Sequence, residues 1–244
     1  MRDKEALYQR SCDLGSAIGC NDLGVRHWQE PKRARELLER ACTLGLTQGC
    51  ANLAMLLLPV AQEHARALTL LEGACKEHNA HACVHLGDAL YDNPEEWSKA
   101  ERSYESACKM DDSEGCLNVG WMVLRGQGTR ANAERAAEWF RIPCERDMFE
   151  ACAGLGFALL DDEAPSASQA NQGKHWLRVA CDHDSAFGCL MAARRAAFEA
   201  QQLTPESRAL FEKACRLGSK SACSVAESRG DSDDSDDEAE SASD

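Results

Sequence analysis

The chain has 244 residues and a formal net charge of −14, from 27 basic and 41 acidic side chains. This balance argues against a nucleic-acid partner, which needs a basic patch, and against docking on an anionic membrane. The longest apolar run, residues 53–60, is too short to span a bilayer, so no membrane insertion is expected. Aromatic residues make up only 6% of the chain, which favours packed helices over a β-sandwich.

Fourteen cysteines are the most unusual feature of the composition. They form seven pairs in the sequence, and the two members of each pair stand eight positions apart. Successive pairs begin 30 to 37 residues apart, which is the period of solenoids built from two-helix repeats. The pairs are Cys12 with Cys20, Cys42 with Cys50, Cys75 with Cys83, Cys108 with Cys116, Cys144 with Cys152, Cys181 with Cys189, and Cys215 with Cys223.

Two predicted helices flank every cysteine pair, because the same residue types recur around it at helical spacing. A large apolar residue stands four positions before each first cysteine, on the stripe of one helix face. Turn residues ending in glycine, as at Gly15 and Gly45, favour a tight turn between the two helices. In chain order, the first predicted helix covers residues 3–14, and breakers then separate the units at Pro31, Pro94, Gly126 to Gly128, Pro165 and Pro205.

Small residues recur inside the helix that follows each second cysteine. Leu or Val at the third position is followed by Gly or Ala at the fourth in the first five units. Glycine costs about 1 kcal/mol relative to alanine in a helix interior, so its recurrence predicts the close approach of a neighbouring helix. The residues at the fourth position are Gly24, Ala54, Gly87, Gly120 and Gly156.

Several segments resemble the Sel1-like repeat, a relative of the tetratricopeptide repeat. They are residues 214–218 (Ala-Cys-Arg-Leu-Gly), residues 49–54, and residues 123–128, which are similar to the loop between helices of that repeat. Cysteines eight positions apart narrow the resemblance to the Helicobacter cysteine-rich (Hcp) proteins, over roughly residues 3–228. The resemblance implies an all-α, right-handed α/α solenoid of about seven Sel1-like helical-pair repeats, each stapled by a disulfide between its two cysteines.

The chain departs from the repeat pattern at two places, and the pattern ends before the C-terminal segment. Pro143 replaces the usual alanine before a first cysteine, and residues 191–193 replace the Leu-Gly step, so the sixth unit is expected to pack less regularly. We predict a repeat domain over residues 1–228. The segment 229–244 is strongly acidic and lacks bulky apolar side chains, so it is predicted to be a disordered tail, either solubilising or a docking segment for a basic partner.

The cysteines allow alternatives to disulfides. Zinc ligands usually stand two to four positions apart, and the chain has no CxxC motif, whereas a spacing of eight is compatible with two thiols facing each other on antiparallel helices. The cysteines could instead be reduced, small buried hydrophobic residues. Thiols that bind metal or buffer redox chemistry are a further alternative. No cofactor and no resident metal are expected.

Disulfides require an oxidising compartment, so a periplasmic or secreted protein is expected. The first ten residues lack the apolar core of a signal peptide. The first predicted helix also reads as the second helix of a repeat. Both features suggest that an export segment has been removed, and the alternative is a cytoplasmic protein with reduced thiols.

Two short motifs are compatible with chemistry. Ser106 and Lys109 match the SxxK motif of penicillin-binding enzymes, and the Hcp resemblance implies possible β-lactam binding, but the companion SDN and KTG motifs are missing. The simpler interpretation is two exposed residues at a helix end. His78, His81 and His85 surround Cys83, and two of these histidines share a helix face, so a metal site and ordinary surface histidines are both possible.

The preferred site is a binding groove on the helices that follow each second cysteine. Related solenoids use such helices to line a concave surface for proteins or extended peptides. Polar residues stand two positions after the second cysteine, and interface-type residues stand five positions after it. The alternative is that the polar residues support the fold and that the aromatic residues are core. The candidate partner-binding residues are Asp22, Asn52, Met55, His85, Asn118, Trp121, Phe157 and Arg194.

The sequence thus predicts a non-catalytic scaffold or adaptor without enzymatic activity. Its expected partner is a protein or an extended peptide, bound on the concave face of a monomeric, disulfide-stapled solenoid. The first alternative is weak β-lactam binding or hydrolysis. The second is thiol or metal binding.

Overall fold

A computed structural model of the chain describes residues 2–161 and 165–227. All regular structure in these ranges is helical, with fourteen α-helices and two short 3-10 turns, at Ala61–Glu63 and Pro94–Glu96. The chain divides into two compact units, residues 1–132 and residues 133–244. The predicted acidic tail at 229–244 lies outside the described residues, and the predicted domain boundary at 228 stays a prediction.

The helices follow each other in consecutive pairs. The first unit contains four pairs: α1 (Arg2–Asp13) and α2 (Ala17–Arg26), α3 (Pro31–Thr43) and α4 (Thr47–Leu57), α5 (His64–Lys76) and α6 (Ala80–Tyr91), α7 (Trp97–Lys109) and α8 (Ser113–Arg125). The second unit contains three: α9 (Ala133–Cys144) and α10 (Phe149–Leu160), α11 (Ala167–Asp182) and α12 (Ala186–Ala200), α13 (Pro205–Arg216) and α14 (Lys220–Glu227).

A disulfide joins the two helices of every pair. Each bridge links the two cysteines that stand eight positions apart, with Cα atoms 4.4 to 4.7 Å from each other. Within residues 2–161 and 165–227 no cysteine is free. The disulfide pairing that the resemblance implied is therefore confirmed.

The turn inside each pair uses one left-handed residue, three positions after the first cysteine. Glycine occupies this position at Gly15, Gly45 and Gly218, which have φ of 84° to 98° and confirm the predicted caps. The next N–H then donates to a carbonyl five residues earlier, as from Leu46 to Ala41 at 3.1 Å. In the other four pairs a residue with a side chain adopts φ of 60° to 65°: His78, Asp111, Asp147 and Asp184.

Replacing His78 with glycine is expected to raise the free energy of unfolding by about 0.5–1 kcal/mol. The left-handed conformation costs a residue with a Cβ about 1–2 kcal/mol, so removing the Cβ stabilises the folded state. Glycine also has more conformational freedom in the unfolded state, which offsets part of this gain. Gly45→Ala is the matched control and is expected to lower stability by about 1 kcal/mol, because no atom lies within 4 Å of the added Cβ and the cost is conformational. Urea unfolding midpoints measure both, and changes of the same sign would contradict this account.

The recurring small residues are sites of close helix packing, as predicted. A Cβ added at Gly24 would lie 2.8 Å from Leu38, and one added at Gly156 would lie 2.7 Å from the backbone oxygen of Gly173. At Gly24, Gly87 and Gly156, the large residue four positions before the next pair's first cysteine fills the space over the glycine: Leu38, Tyr104 and Leu177. The packed side chains are buried: Leu38, Leu71, Tyr104, Phe140, Leu177 and Phe211.

The even-numbered helices of the first unit contact one another in order: α2 with α4, α4 with α6, and α6 with α8. This arrangement places equivalent positions of successive pairs on neighbouring helices. We call the surface formed by the second and fifth positions after each second cysteine, on these four helices, the even-helix face. In the described ranges, no helix is both long enough and apolar enough to cross a bilayer.

Candidate functional site

A polar network lies across the start of the even-helix face. The Nδ2 atom of Asn52 donates to Oδ1 of Asn21, 2.7 Å away on the preceding pair. Asn21 donates in turn to Asp22, and Gln48 donates to Asn52 at 3.1 Å. Asn79 extends the network to the third pair by donating to Gln48 at 2.9 Å. These contacts support the fold-stabilising interpretation of Asn52, because its amide is already engaged between repeats.

His85, the next member of the predicted series, also has a partner. Its Nδ1 atom lies 3.7 Å from Oδ2 of Asp88, one turn further along α6. The other carboxylate oxygen of Asp88 accepts a hydrogen bond of 2.7 Å from the hydroxyl of Tyr104. Burial and the bond to Asp88 raise the pKa of the Tyr104 phenol, so this hydroxyl stays a donor.

Asn118 differs from the other polar positions. Its side chain is half-buried on α8, and in the part of the chain that the structure describes its amide makes no hydrogen bond. It faces a cleft of about 280 Å³ between α6 and α8, which we call the α6–α8 cleft. The lining residues are Asp88, Tyr91, Tyr104, Asn118, Trp121, Met122 and Arg125.

Arg125 lies over the ring of Trp121 in this cleft. The guanidinium carbon is 5.0 Å from the ring centroid, the distance of a cation–π contact. Arg125 is exposed, and it makes no ion pair with any carboxylate in the described ranges. The cleft therefore combines an aromatic surface, a free amide and a cation without a counterion.

The opposite wall of the cleft is held in place by hydrogen bonds. The Tyr91 hydroxyl donates to Oε1 of Gln127 at 3.0 Å, and the indole nitrogen of Trp97 donates to the Tyr91 carbonyl at 2.9 Å. With the bond from Tyr104 to Asp88, these contacts order the wall before any ligand binds. Such preorganisation lowers the entropy lost on binding.

The other predicted partner-binding residues lie elsewhere. Met55 is half-buried on α4, next to the polar network of the first unit. Phe157 and Arg194 belong to the second unit. Phe157 packs edge-on against Phe187, with ring centroids 5.8 Å apart, and against a hydrophobic cluster, which supports the core interpretation. Arg194 is exposed. A partner-binding role for all eight residues stays a prediction.

Five lining residues of the α6–α8 cleft were absent from the predicted set: Asp88, Tyr91, Tyr104, Met122 and Arg125. Helical spacing offered a signal for one of them. Arg125 stands four positions after Trp121 and seven after Asn118, so the three share one face of α8. Tyr104 was recognised as a repeat core residue, but its hydroxyl at the cleft was missed.

The two short motifs do not form a reactive arrangement. The hydroxyl of Ser106 donates to the carbonyl of Arg102 at 2.7 Å, and Lys109 pairs with Glu105 at 3.0 Å. Neither side chain is placed to activate the other. These contacts match the interpretation of two surface residues on the helix.

The histidine cluster is divided among separate contacts. Cys83 is bonded to Cys75 and is lost as a ligand, while His81 lies 3.4 Å from Asp112 on the next pair. Within residues 2–161 and 165–227, no group of three or more His, Cys, Asp or Glu side chains could hold a metal ion.

Tandem helical pairs in constant register define an all-α repeat protein of the α/α type, and this fold class is confirmed. The family model of the Sel1 repeat matches four parts of the chain: residues 18–46, 113–146, 149–185 and 203–219. These four parts of the chain therefore match the Sel1 repeat. A sequence comparison with curated proteins gives no match.

Solved structures with the same fold include two bacterial proteins. One is a protective antigen of uropathogenic Escherichia coli strains with an SLR fold, at 19% identity and a TM-score of 0.75 over 91% of this chain and 50% of that one. The other is a Sel1 repeat protein from Oxalobacter formigenes, at 17% identity and a TM-score of 0.64 over 87% and 89%. The chain thus spans half the length of the antigen, and both likenesses show the fold alone.

Cysteine rich protein B of Helicobacter pylori also matches, at 26% identity over 51% of this chain and 94% of that one, with a TM-score of 0.39. Proteins with Sel1 repeats are typically protein-interaction scaffolds. Seven disulfides are typical of an oxidising environment outside the cytoplasm.

Proposed function

We propose that this protein is a non-catalytic scaffold that binds a partner protein, through an extended peptide segment, on the even-helix face of its first unit. The α6–α8 cleft is the observation that carries the proposal. Among the residues that the structure describes, none forms a hydrogen bond or ion pair with the side chains of Asn118 and Arg125, and Trp121 offers an aromatic surface between them. Tryptophan and arginine are the residues most enriched among interface hot spots.

The polar network at α2 and α4 stabilises the part of the even-helix face that lies next to the cleft. Asn52 and its neighbours hold successive pairs in register through hydrogen bonds between repeats. A partner that lies along the face then meets a fixed surface, with the cleft at its α8 end. Ordering of the binding groups before contact reduces the entropic cost of association.

The proposed location of this scaffold is the periplasm or the exterior of the cell. All fourteen cysteines are bonded, and disulfides persist where no glutathione or thioredoxin system keeps thiols reduced. A protein that acts as a monomer fits the proposal, since one unit supplies the complete cleft.

Binding is expected to depend on Asn118 and Trp121. Dodecapeptides selected by phage display on the wild-type protein should bind at least tenfold more weakly to Asn118→Ala and to Trp121→Ala, because alanine removes the amide and the aromatic anchor. Fluorescence polarisation of labelled peptides measures the affinities. Circular dichroism checks that each variant keeps its helical signal.

Trp176→Ala is the matched control, because Trp176 is also half-buried but lies on α11 of the second unit. It is expected to leave affinity unchanged. Selection that yields no binding peptide, or peptides whose affinity falls equally in Trp121→Ala and Trp176→Ala, would show that the cleft is not the binding site.

A further inference from the structure

We propose that the occupant of the α6–α8 cleft is an acidic peptide segment, whose carboxylate pairs with Arg125 while its backbone is held by Asn118. This inference rests on the proposed function and names the chemistry of the partner. Its evidence is the charge and hydrogen-bond state of the groups that line the cleft.

Arg125 is a cation without a carboxylate partner in the described ranges 2–161 and 165–227. Three other arginines of the first unit pair with acidic side chains: Arg35 with Glu63 at 2.8 Å, Arg26 with Glu5 at 3.5 Å, and Arg66 with Glu39 at 3.1 Å. The guanidinium of Arg125 instead lies over Trp121. A cation–π contact uses none of the guanidinium's hydrogen bonds to a carboxylate, and the fork of N–H groups matches a carboxylate in geometry.

Asp88, the carboxylate on the opposite wall, does not neutralise Arg125. One of its oxygens accepts from Tyr104, and the other is 3.7 Å from His85. The carboxylate of Asp88 thus has partners within the protein, whereas no carboxylate of the described residues accepts from Arg125. Charge complementarity therefore favours an acidic occupant over a basic one.

The spacing of Asn118 and Arg125 sets the length of the occupant. Seven residues of helix separate them by about 10.5 Å along the axis. An extended chain covers that distance in about three residues. The side-chain amide of Asn118 offers an acceptor and two donors to a peptide backbone. A segment with an acidic residue about three positions from the backbone contact would reach both groups, across the ring of Trp121.

Three phage libraries of dodecapeptides test the proposal. They are randomised except at one central position, which is fixed as Glu, Gln or Lys. On the wild-type protein the Glu library is expected to give the strongest enrichment. The best Glu peptide, made with fluorescein, should bind at least tenfold more tightly than its Glu→Gln version.

The variant Arg125→Gln tests the contribution of the ionic contact apart from the other contacts of the cleft. It should abolish the preference for the Glu peptide over its Gln version. Arg102→Gln removes the same charge from an exposed position on α7 and should change neither affinity.

The outcomes separate this inference from the proposed function. Peptides that require Trp121 but bind equally with Glu or Gln would overturn the acidic partner and leave the binding cleft intact. Enrichment of the Lys library would also overturn it and would assign the cleft to a basic segment facing Asp88. Failure of all three libraries to yield binders would contradict the proposed function.

Discussion

Stepwise reduction of the protein is expected to open the bridges Cys42–Cys50 and Cys215–Cys223 first. Both cysteines of each are half-buried, whereas four other bridges are buried at both ends: Cys12–Cys20, Cys108–Cys116, Cys144–Cys152 and Cys181–Cys189. A reducing thiolate must reach a sulfur atom, so exposure sets the order of reaction. Reductant titration, alkylation of the freed thiols and peptide mass spectrometry give the extent of reduction at each bridge.

Loss of the buried bridges is expected to unfold the helices. Closing a loop of this length contributes about 2–3 kcal/mol by the chain-entropy model. The contributions of seven bridges together are as large as the whole stability of an ordinary domain, about 5–15 kcal/mol. The circular dichroism signal at 222 nm should therefore persist after the two half-buried bridges open and collapse when the buried ones do. A fully reduced chain that keeps its helical signal at 37 °C would contradict this expectation.

Replacing Gly87 with alanine is expected to lower the free energy of unfolding by about 1–3 kcal/mol, the usual cost of overpacking a core. The added Cβ would lie 2.5 Å from Cε1 of Tyr104. The ring cannot move freely, because it is buried and its hydroxyl is bonded to Asp88. Displacement of Tyr104 would also disturb the wall of the α6–α8 cleft, so peptide binding should weaken along with stability.

Gly73→Ala is the matched control, because it makes the same change at a helix position where no atom lies within 4 Å of the added Cβ. It is expected to raise stability by up to about 1 kcal/mol, through the better helix propensity of alanine. Urea unfolding midpoints of the two variants should therefore shift in opposite directions. A destabilisation of equal size in both would show that helix interiors here reject alanine for a reason other than contact with Tyr104.

The sequence was sufficient to predict the helices and the turns, and the resemblance to the Hcp proteins implied the disulfides. The helices and turns depend on spacing along the chain, since a period of four marks a helix face. The spacing of the cysteines was compatible with a bridge across each turn. The packing of Gly87 on Tyr104 was predictable for the same reason. Predicting this contact requires only the register between two neighbouring repeats.

Spacing along the chain did not predict which polar and aromatic side chains would have partners in the fold. Asn52 and Asn118 occupy the same repeat position, but only Asn52 has an amide, that of Asn21, within reach on the neighbouring pair. Phe157 and Trp121 are likewise equivalent, but Phe157 packs against Phe187 whereas Trp121 lies under Arg125. Whether such a side chain finds a hydrogen-bond or ring partner depends on individual residues of the adjacent repeat, and these residues differ from one repeat to the next.

Arg125 illustrates the same limit. Its helix spacing from Trp121 was visible, but the lack of a carboxylate partner is a property of three-dimensional surroundings. Among the residues that line the cleft, one is acidic, Asp88, and Tyr104 and His85 already contact its carboxylate.

Every bridge in this protein is local, joining cysteines separated by eight positions and never two distant repeats. A gene duplication or deletion of one helical pair therefore adds or removes both cysteines of a bridge and leaves no orphan thiol. During synthesis, each bridge can also form as soon as its own two helices have emerged, before later cysteines exist to compete for it. The same design that staples each pair thus lets the length of the protein evolve by whole repeats without risk of mispaired cysteines.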